Sequence, residues 1–196
     1  MKIRRRYLVQ FLICLLVVLS ACEEVYLPKP AGYNRIDLPQ NAYQALPDTF
    51  PYSFVYSNYA QLAGDSNKNA DRYWANLYYD DFDALLQITY KDLTQGDNEA
   101  KVLLNEAFAL AMRHDVRAYG IEETLVALPR GQVASLTQLE GEVPTQLQFF
   151  TSDSTNHFFR GALYFSTATK NDSLQPIINF IKKDVLEMLK SFEWKY

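Results

Sequence analysis

The sequence predicts an α+β fold in which two main helices pack on a mostly antiparallel β-sheet. Segments with the residue alternation of strands come first, then one amphipathic helical segment, more strand segments and a closing helical segment. Connections between neighbouring strand segments are short, whereas parallel neighbours need crossovers of about a dozen residues. This order and spacing favour antiparallel pairing.

Three strand segments are predicted in the first half. Residues 52–56 and 74–79 combine alternation with a high content of Tyr, and residues 86–90 show the cleanest alternation in the chain. A polar loop at 64–69 and a turn at Asp80, Asp81 and Asp83 bound the second segment.

One apolar stripe predicts the first helix, after a turn and N-cap at residues 95–98. The stripe consists of Ala100, Leu103, Leu104, Ala107, Phe108 and Ala111. The second helix is expected to begin at Asp172 or Ser173, because Pro176 is tolerated in a first turn. Its stripe consists of Leu174, Ile177, Ile178, Ile181, Val185, Met188 and Phe192.

Strands are also predicted between the two helices. The segments are 125–128, 132–136, 146–151 and 158–165, with breaks at Gly131, at Gly141 and at 151–154.

The N-terminus reads as a secretory signal that ends in a lipidation site. A basic start at 2–6 precedes a short apolar run at 8–19 and a small-residue cleavage site, Leu19-Ser20-Ala21, before Cys22. The run is too short to span a core of about 30 Å as a helix. We expect residues 1–21 to be removed, Cys22 to be lipidated, and residues 22–42 to form an extended leader to a single domain at 43–196.

The mature composition restricts the classes of function. Cleavage removes four of the 19 basic residues and none of the 23 acidic ones, which changes the net charge from −4 to −8. Nucleic acid is therefore not an expected partner. Because Cys14 leaves with the signal and Cys22 carries lipid, no disulfide and no Cys-based metal site are expected.

Candidate chemistry is sparse. His157 lies near Asp153 and Arg160 in sequence, with Ser135 or Ser154 as a nucleophile, but no Gly-x-Ser-x-Gly elbow is present. The alternative is that Asp153 and Ser154 turn the chain and Arg160 makes a structural ion pair. His114 has no evident role. We expect no catalytic residue, cofactor or small-molecule substrate.

Two further features have alternative interpretations. The acidic turn at Asp80, Asp81 and Asp83 could bind Ca²⁺, but it lacks EF-hand spacing and the loop glycine, which favours a solvated turn. The aromatic stretch at 43–79 is either an interaction surface, for protein or glycan, or part of the core. The core is the favoured interpretation.

Several segments resemble the GldD family of gliding motility lipoproteins of Bacteroidota. These segments are residues 26–39 (YLPKPAGYNRIDLP), 51–56 (PYSFVY), 151–154 (TSDS), 157–165 (HFFRGALYF), 171–176 (NDSLQP) and 192–194 (FEW). Many members carry two cysteines where this chain has Phe50 and Tyr73, so any disulfide between them is lost here. The strand register across 136–143 stays open.

The resemblance implies a non-enzymatic envelope component needed for gliding and for the coupled type IX secretion machinery, whose proteins are its expected partners. The alternative is a peptidoglycan- or glycan-binding lipoprotein. We expect lipid, including palmitate, on Cys22 to hold the protein at the periplasmic face of the outer membrane. The order of elements is also compatible with an α/β/α sandwich similar to the Mog1/PsbP fold.

Overall fold

The structure is a computed structural model that describes residues 37–68, 70–95, 99–113, 118–166 and 171–195. The strands are β1 Tyr43–Ala45, β2 Tyr52–Ser53, β3 Val55–Ser57, β4 Gln61–Gly64, β5 Ala75–Tyr79, β6 Ala84–Asp92, β7 Ala118–Ala127, β8 Val133–Gly141, β9 Thr145–Ser152, β10 His157–Phe165 and β11 Glu193–Trp194. The helices are α1 Ala100–Met112 and α2 Asn171–Lys190. This arrangement confirms the predicted α+β class.

Seven strands form one antiparallel sheet in the order β4-β5-β6-β10-β9-β8-β7. The central pair is β6 and β10, whose register places Ile88 opposite Gly161 and Leu86 opposite Leu163. The two halves of the chain therefore meet at the middle of the sheet, and β4 and β7 are its two outer strands.

The main core lies between one face of this sheet and α2. Every second residue of β6 is buried from Ala84 to Tyr90, as the alternation predicts. On α2, the fully buried side chains include Ile181, Val185 and Leu189. These apolar side chains make up one continuous cluster.

Helix α1 lies on the opposite face of the sheet. It contacts β9 and β10, and its buried residues Ala107 and Ala111 do not belong to the main cluster. The small alanine side chains allow close approach to the sheet, while Phe108 and Val102 remain half exposed. The two helices therefore cover the sheet from both sides.

Two short two-stranded ladders lie outside the seven-stranded sheet. Strand β1 pairs with β3, and β11 pairs with β2, where Trp194 lies opposite Tyr52. Neither β1, β4 nor β11 was predicted, because strands of two to four residues carry too little alternation to detect.

The remaining differences between the predicted and observed elements concern their lengths. Strand β7 begins at Ala118, although the sequence predicted only residues 125–128, because Gly120, Glu122 and Glu123 interrupt the apolar pattern. Strand β8 likewise continues to Gly141, which settles the register across 136–143 by pairing Leu139 with Ile121. Helix α2 ends at Lys190, so Phe192 packs into the core from beyond the helix.

Candidate functional site

His157, at the start of β10, lies among several polar and aromatic side chains that could take part in binding or catalysis. Its side chain is buried, and its Nδ1 lies 2.7 Å from the hydroxyl of Tyr90. The imidazole stacks on the indole of Trp194, with ring centroids 4.9 Å apart and an interplanar angle of 21°. A hydrogen bond and a stacking partner thus hold the ring in place.

Asp153 builds the turn between β9 and β10. Its Oδ1 accepts hydrogen bonds from the backbone N–H groups of Thr155, Asn156 and His157 at 3.0, 2.8 and 2.8 Å. Burial alone would raise the pKa of Asp153, but these backbone bonds and the nearby His157 leave that pKa below its ordinary value. Its hydrogen bonds go to the backbone and not to the imidazole.

Neither candidate serine reaches the His157 ring. The Ser135 hydroxyl donates to Glu123 across the β7–β8 pair at 2.7 Å. Ser154 occupies the exposed turn with a φ of 65°, and its N–H donates to the Ser152 hydroxyl. Within the described residues, the hydrogen bonds therefore do not connect a serine, His157 and Asp153 as a hydrolytic triad would require.

Arg160 differs from its expected role. Its Nη2 donates to the Oε1 of Gln148 on β9 at 2.8 Å, so the structure provides a charge-assisted bond to an amide where an ion pair was expected. The side chain lies on the face of β10 opposite to the Phe159 and Leu163 side chains of the core. Arg160 therefore links β10 to β9 through a side-chain hydrogen bond.

The acidic turn has no metal-site geometry. Residues Asp80–Phe82 form one 3₁₀ turn, which closes with Asp83 in the left-handed region at a φ of 49°. No group of three or more His, Cys, Asp or Glu side chains in the described ranges is arranged to hold a metal ion. The turn joins β5 to β6.

A groove runs along the end of β6 next to His157. Two adjoining cavities of about 410 and 470 Å³ share Tyr73, Tyr90, Asp92 and Gln95 in their walls. The remaining wall residues are Pro51, Asp71, Arg72, Lys91, Thr94, Asn156 and His157. Sequence reasoning missed this groove, because residues from four separate segments form it.

The groove combines aromatic rings with fixed polar groups. Burial, followed by the charges of Asp92 and Asp153, raises the pKa of Tyr90 to about 12, so its hydroxyl keeps its proton at neutral pH. Hydrogen bonds from the Thr94 side chain and backbone lower the pKa of Asp92. Lys91 lies over the Trp74 ring at 5.3 Å. Aromatic rings beside hydrogen-bonding groups suit a polar ligand that offers both hydroxyl groups and an apolar face.

Most of the aromatic stretch at 43–79 belongs to the core, which is the interpretation that the sequence favoured. Tyr52, Phe54, Tyr56 and Tyr79 are all buried, and Tyr52 makes edge contact with Phe159 at 4.9 Å between centroids. The exposed rings in this stretch include Tyr59 and Tyr78.

Asp184 forms a second polar cluster that the sequence did not indicate. This carboxylate on α2 is 2% exposed and accepts hydrogen bonds from Asn41 at 2.7 Å and from the Tyr79 hydroxyl at 3.2 Å. Tyr43 and Ser57 are also donors to it. Burial raises the pKa of Asp184 in spite of these bonds. The cluster links Asn41 and Tyr43 to α2 through hydrogen bonds.

Cys22 and His114 lie outside the described residues. No helix in the described ranges is both long and apolar enough to cross a membrane. The lipidation of Cys22 therefore stays a prediction from the sequence.

Comparison with known proteins identifies one family. The family model described as gliding motility lipoprotein GldD matches residues 23–194. No curated protein matches the chain. The solution structure of cyanobacterial PsbP (CyanoP) from Synechocystis sp. PCC 6803 is similar, with a TM-score of 0.45 and 13% identity over 85% of this chain and 99% of that one. The family match extends over every element from β1 to β11.

Proposed function

This chain belongs to the GldD family of gliding motility lipoproteins, as its sequence segments predicted, and from that premise we propose that it acts as an interaction or scaffold protein of the gliding apparatus. In this proposal, lipid on Cys22 anchors it to the periplasmic face of the outer membrane. Its partners are other envelope proteins of gliding and of the coupled type IX secretion machinery. The family match over residues 23–194 is the observation that carries the proposal.

The proposed role is non-enzymatic. His157 is bonded to Tyr90 and stacked on Trp194, and Asp153 is committed to backbone amides, so both side chains have structural duties. A rigid domain held close to a bilayer is what a scaffold requires, and two or more acyl chains give stable anchoring.

Deletion and complementation in a gliding, type IX-secreting host test the proposal. We expect the deletion strain to lose spreading on agar and secretion of a type IX substrate, and the full chain to restore both. Complementation with Cys22→Ala is expected to fail, because the protein would lack the lipid that anchors it. The matched control is Cys14→Ala, which changes the other cysteine but spares the lipidation site. Normal gliding and secretion in the deletion strain would refute the proposed role.

Glycan binding is the second candidate, and the groove beside His157 favours it. Half-buried Tyr73 could stack on a sugar, while Asp92 and Asn156 lie in the same walls to bond its hydroxyl groups. We expect the mature chain to sediment with purified peptidoglycan sacculi, and Tyr73→Ala to reduce the bound fraction several-fold. Exposed Tyr59 lies outside the groove, so Tyr59→Ala is the control. Equal retention of the two variants would exclude the groove as the binding site.

A further inference from the structure

Strand β7 forms an outer edge of the seven-stranded sheet. It runs for ten residues, from Ala118 to Ala127, and among the described residues it pairs with β8 alone. A long outer strand presents a row of backbone N–H and C=O groups that another chain can pair with. Soluble proteins usually shorten, bend or cover such an edge.

The side chains beside this edge are unusually apolar for a surface. Tyr119 and Leu125 are 73% and 72% exposed, Ile121 is 39% exposed, and Val133 on β8 is 50% exposed. In β7, Ile121 and Leu125 share one face because side chains alternate along a strand, and Tyr119 lies at a register shift next to them. We refer to Tyr119, Ile121, Leu125 and Val133 as the β7 patch. It lies on the same face of the sheet as α1, because Val126 points the other way into the main core.

The edge is also acidic. Glu122 and Glu123 occupy the centre of β7 and project from opposite faces of the strand. Glu123 accepts a hydrogen bond from Ser135, and Glu122 lies 3.9 Å from Lys182 while remaining 70% exposed. An added strand that carried Lys or Arg opposite these positions would gain attraction across the pair.

The same charges disfavour pairing with a second copy of this chain. A two-fold antiparallel pairing centred on β7 sets Glu122, or Glu123, directly opposite its own copy. Like charges in that position destabilise a cross-strand pair. The occupant that fits is therefore a different protein.

We propose that the outer edge of β7 binds an extended segment of a partner protein by strand addition, and this inference rests on the interaction role proposed above. The segment has apolar residues opposite Ile121 and Leu125 and Lys or Arg opposite Glu122 and Glu123. Backbone hydrogen bonds supply affinity in this mode, and the alternating side chains supply specificity.

Photocrosslinking of the full-length chain in its native host tests the proposal. The photoreactive residue p-benzoylphenylalanine replaces Leu125 in one strain and Val102 in a control strain, since Val102 is a half-exposed residue on α1. We expect the Leu125 position alone to give a crosslinked protein whose captured peptide, mapped by mass spectrometry, carries basic residues flanked by apolar ones. A captured peptide from this chain itself, or one without basic residues, would overturn the inference.

Charge reversal sharpens the test. Glu122→Lys with Glu123→Lys is expected to lower the crosslink yield at Leu125 by at least about fivefold. Glu106→Lys with Asp81→Lys makes the same change in net charge at exposed positions outside β7, and should leave the yield unchanged. If the first variant fails to accumulate, Glu122→Gln with Glu123→Gln replaces it, with a smaller reduction expected. An unchanged yield in the variant measured would overturn the assignment.

Gliding and secretion are scored in the same strains, so that the two proposals can fail separately. A deletion strain that glides and secretes normally refutes the interaction role. Loss of gliding on deletion, together with no protein captured at Leu125, refutes only the β7 surface.

Discussion

Gly161 lies at the middle of β10, where the ring of Phe149 on β9 passes over its Cα. A Cβ at this position would overlap the ring carbons Cζ, Cε1 and Cε2 of Phe149. Phe149 is 1% exposed and in ring contact with Phe159, so it has little freedom to move away. The absence of a side chain at residue 161 is what allows the Phe149 ring on β9 to pack against β10.

Replacing this glycine should therefore be costly. We expect Gly161→Ala to lower the free energy of unfolding by about 2 kcal/mol, the usual cost of overpacking a core. Thermal unfolding followed by circular dichroism measures the change. Gly64→Ala on outer strand β4 is the control, because a Cβ there meets no atom within 4 Å. Equal melting temperatures for the two variants would contradict the prediction.

Asp184 illustrates a buried charge that serves the fold. Removing it leaves four side-chain donors without their acceptor. We expect Asp184→Ala to destabilise the domain by about 3 kcal/mol at pH 7, measured by urea unfolding. Asp81→Ala, at an exposed position, is the control.

The cost of Asp184→Ala should also depend on pH. Because the folded pKa of Asp184 is raised, the folded protein binds its proton more tightly than the unfolded chain does. The stability due to Asp184 is thus greatest below the unfolded value of 3.8 and declines as pH rises through the raised folded pKa. The difference in unfolding free energy between wild type and Asp184→Ala should increase as pH falls from 7 towards 4. A difference that shrinks over that range would show that the folded pKa is not raised.

At the scale of elements, the two-residue strand β11 contributes more to the packing of the core than its length suggests. Trp194 packs against His157, Phe159 and Phe192, and the Lys195 N–H donates to the Pro51 carbonyl at 2.8 Å. The end of the chain therefore closes the core at the side of the groove. The Trp194 Nε1 is buried and has no hydrogen-bond partner among the described residues.

This arrangement predicts a large loss of stability for one substitution of Trp194 and a small loss for another. Trp194→Ala removes a large buried ring and should cost about 3 kcal/mol or more, whereas Trp194→Phe loses no hydrogen bond and should cost less than about 1.5 kcal/mol. Trp74→Phe is the matched comparison, because its Nε1 donates to the Tyr90 carbonyl at 2.9 Å. Guanidinium unfolding ranks the variants. A Trp194→Phe variant as unstable as Trp194→Ala would mean that the indole N–H does make a needed bond.

At the scale of the whole molecule, the domain depends on packing for its stability. The sequence contains two cysteines, Cys14 and Cys22, of which the first is expected to leave with the signal and the second to carry lipid. We expect dithiothreitol to leave the melting temperature of the mature protein unchanged, since no disulfide remains to be reduced. A GldD relative that retains the two cysteines at the positions of Phe50 and Tyr73 is the comparison. A fall in the melting temperature of this chain on reduction would contradict the expectation.

The sequence by itself determined the class of fold, the family and the order of elements. Residues 86–90 and the stripe of α2 are long or regular enough for their periodicity to show which face is buried. The stripe predicted for α1 was only partly right, because Ala107 and Ala111 are buried but Phe108 is half exposed. The segment after Cys22 and the motifs around His157 identified the family without any contact information, because they are local runs of residues.

Only the tertiary structure decided which of these residues meet. Asp184 and Asn41 are 143 positions apart, and Tyr90 and His157 are 67 apart, so no local pattern could pair them. The extension of β7 over Gly120, Glu122 and Glu123 likewise depends on the backbone of β8, which pairs with those residues whatever their propensity. Long-range pairing through the backbone and burial of polar groups leave little periodic trace in a sequence, and for that physical reason the groove, the Asp184 cluster and the β7 edge became visible only in the folded chain.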